Sequence, residues 1–360
     1  MKKPGLLLIM FFLWPICVLA NNFQLVKIAS GLGVPWGMAF ISDDKILFSE
    51  RHGNLGVLNV SSGLIKYIEG LPEVHVAGQG GLMDVAIPPD YSSEGWIYFT
   101  YVKPVNNYAE TTLARARLND LHLTDWQDLL VSHSVKGGDK HYGSRIAFDG
   151  NFVYFSVGER GYRPNAQDLS THAGSIIRLN ADGSIPIDNP FVNNKALDEI
   201  WSYGHRNPQG LVWDSLKHRL WSIEHGPRGG DEINLITRAK NYGWPVISYG
   251  KEYWLPLSVG EGTHKASMEQ PIKVYTPSIA PSSLLLYTGD AFPQWHGNLF
   301  SGSLKLKHIN RIVLNDAGQA ITEERLLKGL NERIRALSQS IEGWIYLSTD
   351  KGNIYVIKPE

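Results

Sequence analysis

Between positions 203 and 245 the chain reads YGHRNPQGLVWD, then RLWSIEHGPRGGDEINLI, then NYGWP. Cationic, acidic and turn-forming side chains alternate there with short apolar runs such as Leu211–Val212–Trp213 and Leu220–Trp221–Ser222–Ile223. The apolar runs read as strands, which makes the polar segments loops at strand ends, where binding groups gather. Arg206 and Asn207 in this stretch offer a guanidinium fork and an amide; with Arg333 and Arg335 further on, the arginines either pair with acids such as Asp231, Glu232 and Glu332 or form an anion site, since the fork matches carboxylates. Gly226-Pro227 precedes a Gly-Gly turn and Asp231-Glu232. That is either an acid-flanked turn or a calcium site made of backbone carbonyls and waters. There is no Asp-x-Asp-x-Asp run and no His-x-x-x-His pair, so nothing supports zinc. His141 is the remaining candidate for chemistry. A histidine can take a proton from a substrate hydroxyl near neutral pH; the plainer reading is a turn histidine with satisfied hydrogen bonds.

These residues are far apart in sequence, and a repeat brings them together. A short apolar strand, a turn rich in Asp, Gly, Asn or Pro, and a second strand of the type x-I-Y-F-S recur six times: 36–40 with 45–49, 81–87 with 96–100, 145–148 with 152–156, 210–213 with 219–222, 283–287 with 298–301, and 334–337 with 344–348. A third strand follows most pairs. Six such antiparallel units predict an all-β fold, a six-bladed β-propeller. The unpartnered run 23–28 is expected to complete the last blade and close the ring, removing an open edge. In a propeller the first strand of each blade lines the central channel. The residues just before those strands therefore converge on one end of it: Pro35, Gln79, His141 with Arg145, Arg206 with Asn207 and Gln209, Ser282, and Arg333 with Arg335. A concave, cationic channel mouth is the expected binding site. Gln79, between two glycines, reads equally as a turn former, and Lys305 from spacing alone reads as a solvated surface lysine.

Composition bounds the class. Hydrophobic residues make up 43% and charged residues 19% of 360, enough apolar content for a large core, and 36 Gly with 11 Trp favour β structure. Lys2 and Lys3, the apolar run 6–19 and Val18-Leu19-Ala20 read as a signal peptide cleaved after Ala20, so residues 1–20 are expected to be a signal and 21–360 the propeller. Export to the periplasm or medium follows, with no stable membrane insertion after cleavage. The single cysteine, Cys17, would leave with the signal, which excludes disulfides, thiol catalysis and cysteine-bound metals. Losing Lys2 and Lys3 leaves 32 basic against 35 acidic side chains, a net charge of −3. Nothing in that balance suggests a nucleic-acid or anionic-membrane partner.

The runs 203–211, 224–236 and 241–245, with Gly78-Gln-Gly-Gly-Leu, His141-Tyr-Gly-Ser-Arg, Ala166-Gln-Asp-Leu, Pro277-Ser-Ile-Ala-Pro-Ser and Arg333-Ile-Arg, resemble the soluble pyrroloquinoline-quinone (PQQ) dependent aldose sugar dehydrogenases of the glucose/sorbosone dehydrogenase family. They lie in order from about residue 30 to the C-terminus. The resemblance implies a six-bladed propeller with PQQ over the channel mouth and oxidation of an aldose at its anomeric hydroxyl to a lactone. It implies His141 as general base, Arg206 stabilising charge on the cofactor, and Arg206 and Asn207 beside the quinone. Gln79, Lys305, Arg333 and Arg335 would hold cofactor oxygens, and the carbonyls of Gly226 and Pro227 would bind Ca2+. An electron acceptor, a quinone pool or a small redox protein, would complete turnover. Three positions depart from the family pattern. Ser144 stands where Gly is usual, Lys140 where the glucose enzyme has Asp, and the aromatic wall over the cofactor falls ambiguously at Tyr275 or Thr276. All lie near the expected substrate.

Two other readings share the fold. A calcium-dependent lactonase would place acids and Asn around an ion at the channel centre, and the arginine-rich mouth argues against it. A non-catalytic glycan- or protein-binding propeller is disfavoured by the presence of His141, Arg206 and Lys305 together.

Overall fold

The computed structural model describes residues 23–360 except Asn107, Val135 and Asn151. The expected signal segment and Cys17 lie outside the described residues. Six four-stranded antiparallel sheets form the blades. The inner strands are Pro35–Ser42, Leu82–Ala86, Ile146–Asp149, Pro208–Asp214, Pro281–Leu286 and Ile334–Gln339, in agreement with the repeat. Among the described residues helix is confined to one short turn, Tyr91–Glu94, and two 3-10 turns, Arg163–Gln167 and Pro293–Trp295. Among the described residues no helix is long and apolar enough to cross a membrane. Apolar clusters sit between neighbouring sheets; one of them joins Leu47 and Leu55 of the first blade to Phe99 and Tyr101 of the second. Phe23–Ala29 pairs with Ile354–Pro359, the strand that otherwise would be the edge of the last blade. The first strand of the chain thus clasps the last blade, and the ring closes as expected.

The serine that ends the repeated x-I-Y-F-S strand has a structural task. Five of the six inner strands slip register near their start, as between Pro35 and Gly37 or Ile334 and Ala336, while Ile146–Asp149 pairs without a slip. The slip frees an amide that the second-strand hydroxyl accepts, while the hydroxyl donates to the next blade. Ser49 accepts from the Gly37 N–H and donates to the Met83 carbonyl. Thr100 accepts from Asp84 and donates to the Ser144 carbonyl at 2.6 Å. Ser156 accepts from Arg145 and donates to the Pro208 carbonyl at 3.2 Å. Ser348 accepts from Ala336 and donates to the Pro35 carbonyl at 2.7 Å, stitching the last blade to the first. In the fifth blade Ser282, on the inner strand, donates to Ile334 instead. Ser222 makes no such bond among the described residues.

A single side chain ties the hub. The Arg145 guanidinium lies on the axis and bonds to Asp84 Oδ1 at 2.9 Å and to the carbonyls of Gln209, Ser282, Trp36 and Arg335 at 2.9, 2.6, 3.3 and 3.2 Å. It packs over the Trp36 ring at 3.9 Å. From the third blade it thus reaches the other five. Asp84 Oδ2 also accepts the Ile146 N–H.

Candidate active site

The Arg145 layer divides the channel. Above it a well of about 290 Å³ is lined by residues at or before the starts of the inner strands, among them Trp36, Gln79, Asn207, Gln209 and Arg335. Below it a separate cavity of about 360 Å³ is lined by residues further along the same strands, such as Phe40, Ile87, Leu211 and Gln339. Arg145, expected at the mouth, therefore lies beneath the well, under Trp36, with its charge engaged in the hub and its side chain lining the lower cavity.

Gln79, Asn207, Arg333 and Arg335 line the well directly. His141 adjoins the well through two residues that line it, its loop neighbour Tyr142 and its hydrogen-bond partner Gln79. It is 8% exposed and takes a left-handed φ of +56°, a conformation in which His is enriched among non-glycine residues. Three bonds hold this loop. The His141 N–H donates to Gln79 Oε1 at 2.8 Å, the Gly143 N–H to Asn207 Oδ1 at 3.1 Å, and Gln209 Nε2 to the Gly143 carbonyl at 2.9 Å. Gln79 and Asn207 thereby keep their amide N–H2 groups free of partners among the described residues. His141 Nδ1 lies 2.8 Å from Glu159 Oε1, a buried carboxylate that also accepts the Gly161 N–H. A carboxylate at Nδ1 selects the tautomer protonated there and leaves the Nε2 lone pair as the base. Burial is the largest influence on the ring and holds its pKa below the ordinary value of 6.5; the Glu159 bond opposes that, and Arg206 and Lys140 add to it.

Arg206 follows at the start of the fourth blade. Its backbone N–H donates to Glu224 Oε2 at 2.7 Å, its Nη1 to the His225 carbonyl at 3.2 Å and its Nη2 to the Tyr253 hydroxyl at 3.5 Å, and it packs over Trp244. Its buried Nε has no partner, and the guanidinium forms no ion pair among the described residues. Arg333 and Arg335 are paired, though not with the acids the sequence suggested. Both grip Asp350, Arg333 Nε at 2.7 Å and Arg335 Nε at 2.8 Å, and the two guanidinium groups hold the Asp350 carboxyl below its usual range against the opposing effect of burial. One carboxylate between two guanidiniums leaves a net positive charge. Lys305 is exposed beside Leu304 on the rim, with no side-chain partner among the described residues.

The Gly226-Pro227 turn bounds a small second cavity, about 20 Å³, with Arg206, Glu224 and Glu232. That is room for one water-sized guest. The Gly226 N–H donates to Asp231 Oδ1 at 3.0 Å, and a Cβ at Gly226 would stand 2.1 Å from the Gly230 carbonyl oxygen. The carbonyls of Gly226 and Pro227 accept no hydrogen bond from any described residue. His225 faces the well as a neutral ring: it donates from Nε2 to the Pro281 carbonyl at 2.5 Å, and burial drives its pKa to about 3.

The sequence singles out neither Glu159 nor Asp350, and Glu224 enters it only as the first residue of the run 224–236. Each sits at or just past the end of a second strand, after Ser156, Ser348 and Ser222. In an antiparallel pair that end returns to the start of the inner strand, so the repeat itself carried the signal. Of the two positions between which the aromatic wall falls ambiguously, Tyr275 is buried with its hydroxyl on Asn310 at 2.6 Å, and Thr276 is exposed.

The sequence model for the family Glucose / Sorbosone dehydrogenase matches residues 32–357, and the chain belongs to this family. It is 36% identical to aldose sugar dehydrogenase YliI of Escherichia coli K12 over 97% of either chain. It is 27% identical to quinoprotein glucose dehydrogenase B of Acinetobacter calcoaceticus, covering 93% of this chain and 87% of that one. The PQQ-bound aldose sugar dehydrogenase of Streptomyces coelicolor superposes with a TM-score of 0.79 at 25% identity, over 94% of this chain and 99% of the other.

Proposed function

We propose that the protein is a PQQ- and calcium-dependent dehydrogenase that oxidises aldoses at the anomeric hydroxyl to lactones. The observation that carries this reading is the conjunction of the His141–Glu159 pair, next to the well residues Gln79 and Tyr142, with an unpaired Arg206 in the adjoining small cavity that shares His225 with the well. The donor set fits the cofactor class. A planar polycarboxylate quinone needs cations and amide donors that are not already consumed. The unpaired Arg206, the net-positive Arg333–Asp350–Arg335 clasp, Lys305 and the free amides of Gln79 and Asn207 supply them. The two unengaged carbonyls of Gly226 and Pro227 are hard oxygen donors of the kind calcium takes, the rest of its shell coming from cofactor and water.

When bound, PQQ polarised by calcium supplies the two-electron acceptor for the hydrogen that leaves C1. The chain's own residues do the rest. His141 Nε2 takes the proton from the anomeric hydroxyl as the C1–O bond becomes a carbonyl. Glu159 orients the ring and steadies the imidazolium that forms. Arg206 offers a fixed positive charge in a water-poor wall, where it acts more strongly than in bulk water. The electron acceptor that regenerates the oxidised enzyme is a separate partner, and export through a signal peptide remains part of the proposal.

The test is reconstitution of the purified chain with PQQ and calcium, followed by dye reduction with a panel of aldoses. Turnover that requires both additions, and that falls by about 10²–10⁴-fold in His141→Ala, is the expected result. PQQ titration that leaves the chain's absorbance and fluorescence unchanged would overturn the reading.

A further inference from the structure

The long connection after the fourth blade carries a hairpin-like projection. Lys251 bridges to both Arg228 and Ser258, and the Glu252 N–H donates to the Leu257 carbonyl at 2.8 Å. Its tip, Tyr253 to Leu257, is apolar and open to solvent: Trp254 is 83% exposed and Tyr253 54%. Three anchors fix it at the edge of the candidate active site. Arg163, which follows the Glu159 loop, grips Glu252 through two bonds of 2.7 Å each. The Tyr253 hydroxyl accepts from Arg206. Gly250 packs against Pro227, so closely that a Cβ there would lie 2.5 Å from that ring. The tip is therefore held to the Glu159 loop, to Arg206 and to the Gly226-Pro227 turn at once.

An exposed tryptophan on a braced support is costly to leave bare, and its neighbourhood says what would cover it. The well is too small for an oligosaccharide together with a cofactor, so further sugar rings of such a substrate must lie outside it, over the rim. A pyranose presents a face of C–H bonds, which suits the electron-rich face of an aromatic ring. Tyr253 and Trp254, their rings 6.3 Å apart and tilted by 56°, offer two such faces with little side-chain entropy to lose. Building on the dehydrogenase reading, we propose that Tyr253 and Trp254 form a carbohydrate subsite that stacks the second or third ring of an oligosaccharide whose reducing end lies at His141.

The probes are glucose, maltotriose and cellotriose, assayed on the reconstituted enzyme. In Trp254→Ala the ratio of kcat/KM for a trisaccharide to that for glucose should fall about tenfold, through KM rather than kcat. An unchanged ratio with both trisaccharides overturns the subsite. Absence of oxidation of any aldose by the wild-type protein overturns the dehydrogenase reading instead. The subsite is then read from tryptophan fluorescence with the reduced trisaccharides, which lack an oxidisable anomeric carbon. Saturable quenching that weakens in Tyr253→Ala, a variant that keeps the Trp254 reporter, supports it; no quenching overturns it. Loss of self-association in Trp254→Ala, seen by sedimentation and without change in the sugar ratio, assigns the tip to a second copy of the chain and overturns the proposal.

Discussion

His141 combines two opposed influences, and their balance has a measurable sign. Burial disfavours the imidazolium, and the Glu159 bond favours it; the first wins, so the pKa lies below 6.5. A base must be neutral to act. In the proposed role of His141, lowering the pH would protonate Nε2 and remove activity, and we expect the acid limb of kcat/KM to fall below pH 6.5. Glu159→Gln withdraws the group that supports the charged ring. Its acid limb should move to still lower pH while the plateau drops by about tenfold or more, since second-sphere partners of this kind are typically worth 10–100-fold. A limb at or above pH 6.5 in the wild type would assign it to another group. Ser144 is a second test at this scale. Its φ is +90°, in the left-handed region that disfavours a side chain. Ser144→Gly should relieve roughly 1 kcal/mol of strain, seen as a higher denaturation midpoint. A lower midpoint would mean that the Ser144 hydroxyl, which donates to the Tyr142 carbonyl, outweighs it. His141, Arg206, Gln79 and Asn207 were legible in the sequence because they precede inner strands, and the repeat fixed those starts. Glu159 and Asp350 were not, because a carboxylate after a second strand reads as a solvated turn until the antiparallel return is followed back to the mouth.

At the scale of the strand pair, the repeated terminal hydroxyl is worth more than its place in a pattern. Ser348 is fully buried and joins the amide of Ala336 to the carbonyl of Pro35 across the ring closure. Ser348→Ala leaves both groups buried without a partner, at about 1–3 kcal/mol each, and the urea midpoint should fall accordingly. Ser222→Ala is the control, because that hydroxyl makes no such bond among the described residues, and its midpoint should shift by less. Equal shifts would mean that packing volume, not the hydrogen bond, is what the serine supplies. The strand positions themselves were readable, since alternating apolar runs and turn residues recur six times. The register slip that recruits the hydroxyl was not, because one extra residue in a pairing leaves no mark on a hydrophobic pattern.

Across the whole molecule two devices hold the ring. Arg145→Met would leave Asp84 buried beside the axis with its charge partner gone, and breaking a pair of this kind costs about 3–5 kcal/mol. The unfolding transition should move down by that amount, while Arg145→Met with Asp84→Asn should recover part of the loss. The other device is the clasp of Phe23–Ala29 on Ile354–Pro359. The sequence announced it as a run with no local partner, and the closure rule of propellers gave it a place. Arg145 itself misled: it precedes an inner strand as the site arginines do, and only the axial geometry tells a residue that closes the channel from one that faces its mouth.

That closure has a kinetic consequence. Because the Arg145–Asp84 layer blocks the channel beneath the well, whatever enters must leave by the same opening. Such a vessel behaves as a stack, in which the last guest in is the first out. On the proposed function, a cofactor seated below the sugar would have to load first and could not depart beneath it, so saturating sugar should slow PQQ exchange on the reconstituted enzyme. A channel open at both ends would release the two independently.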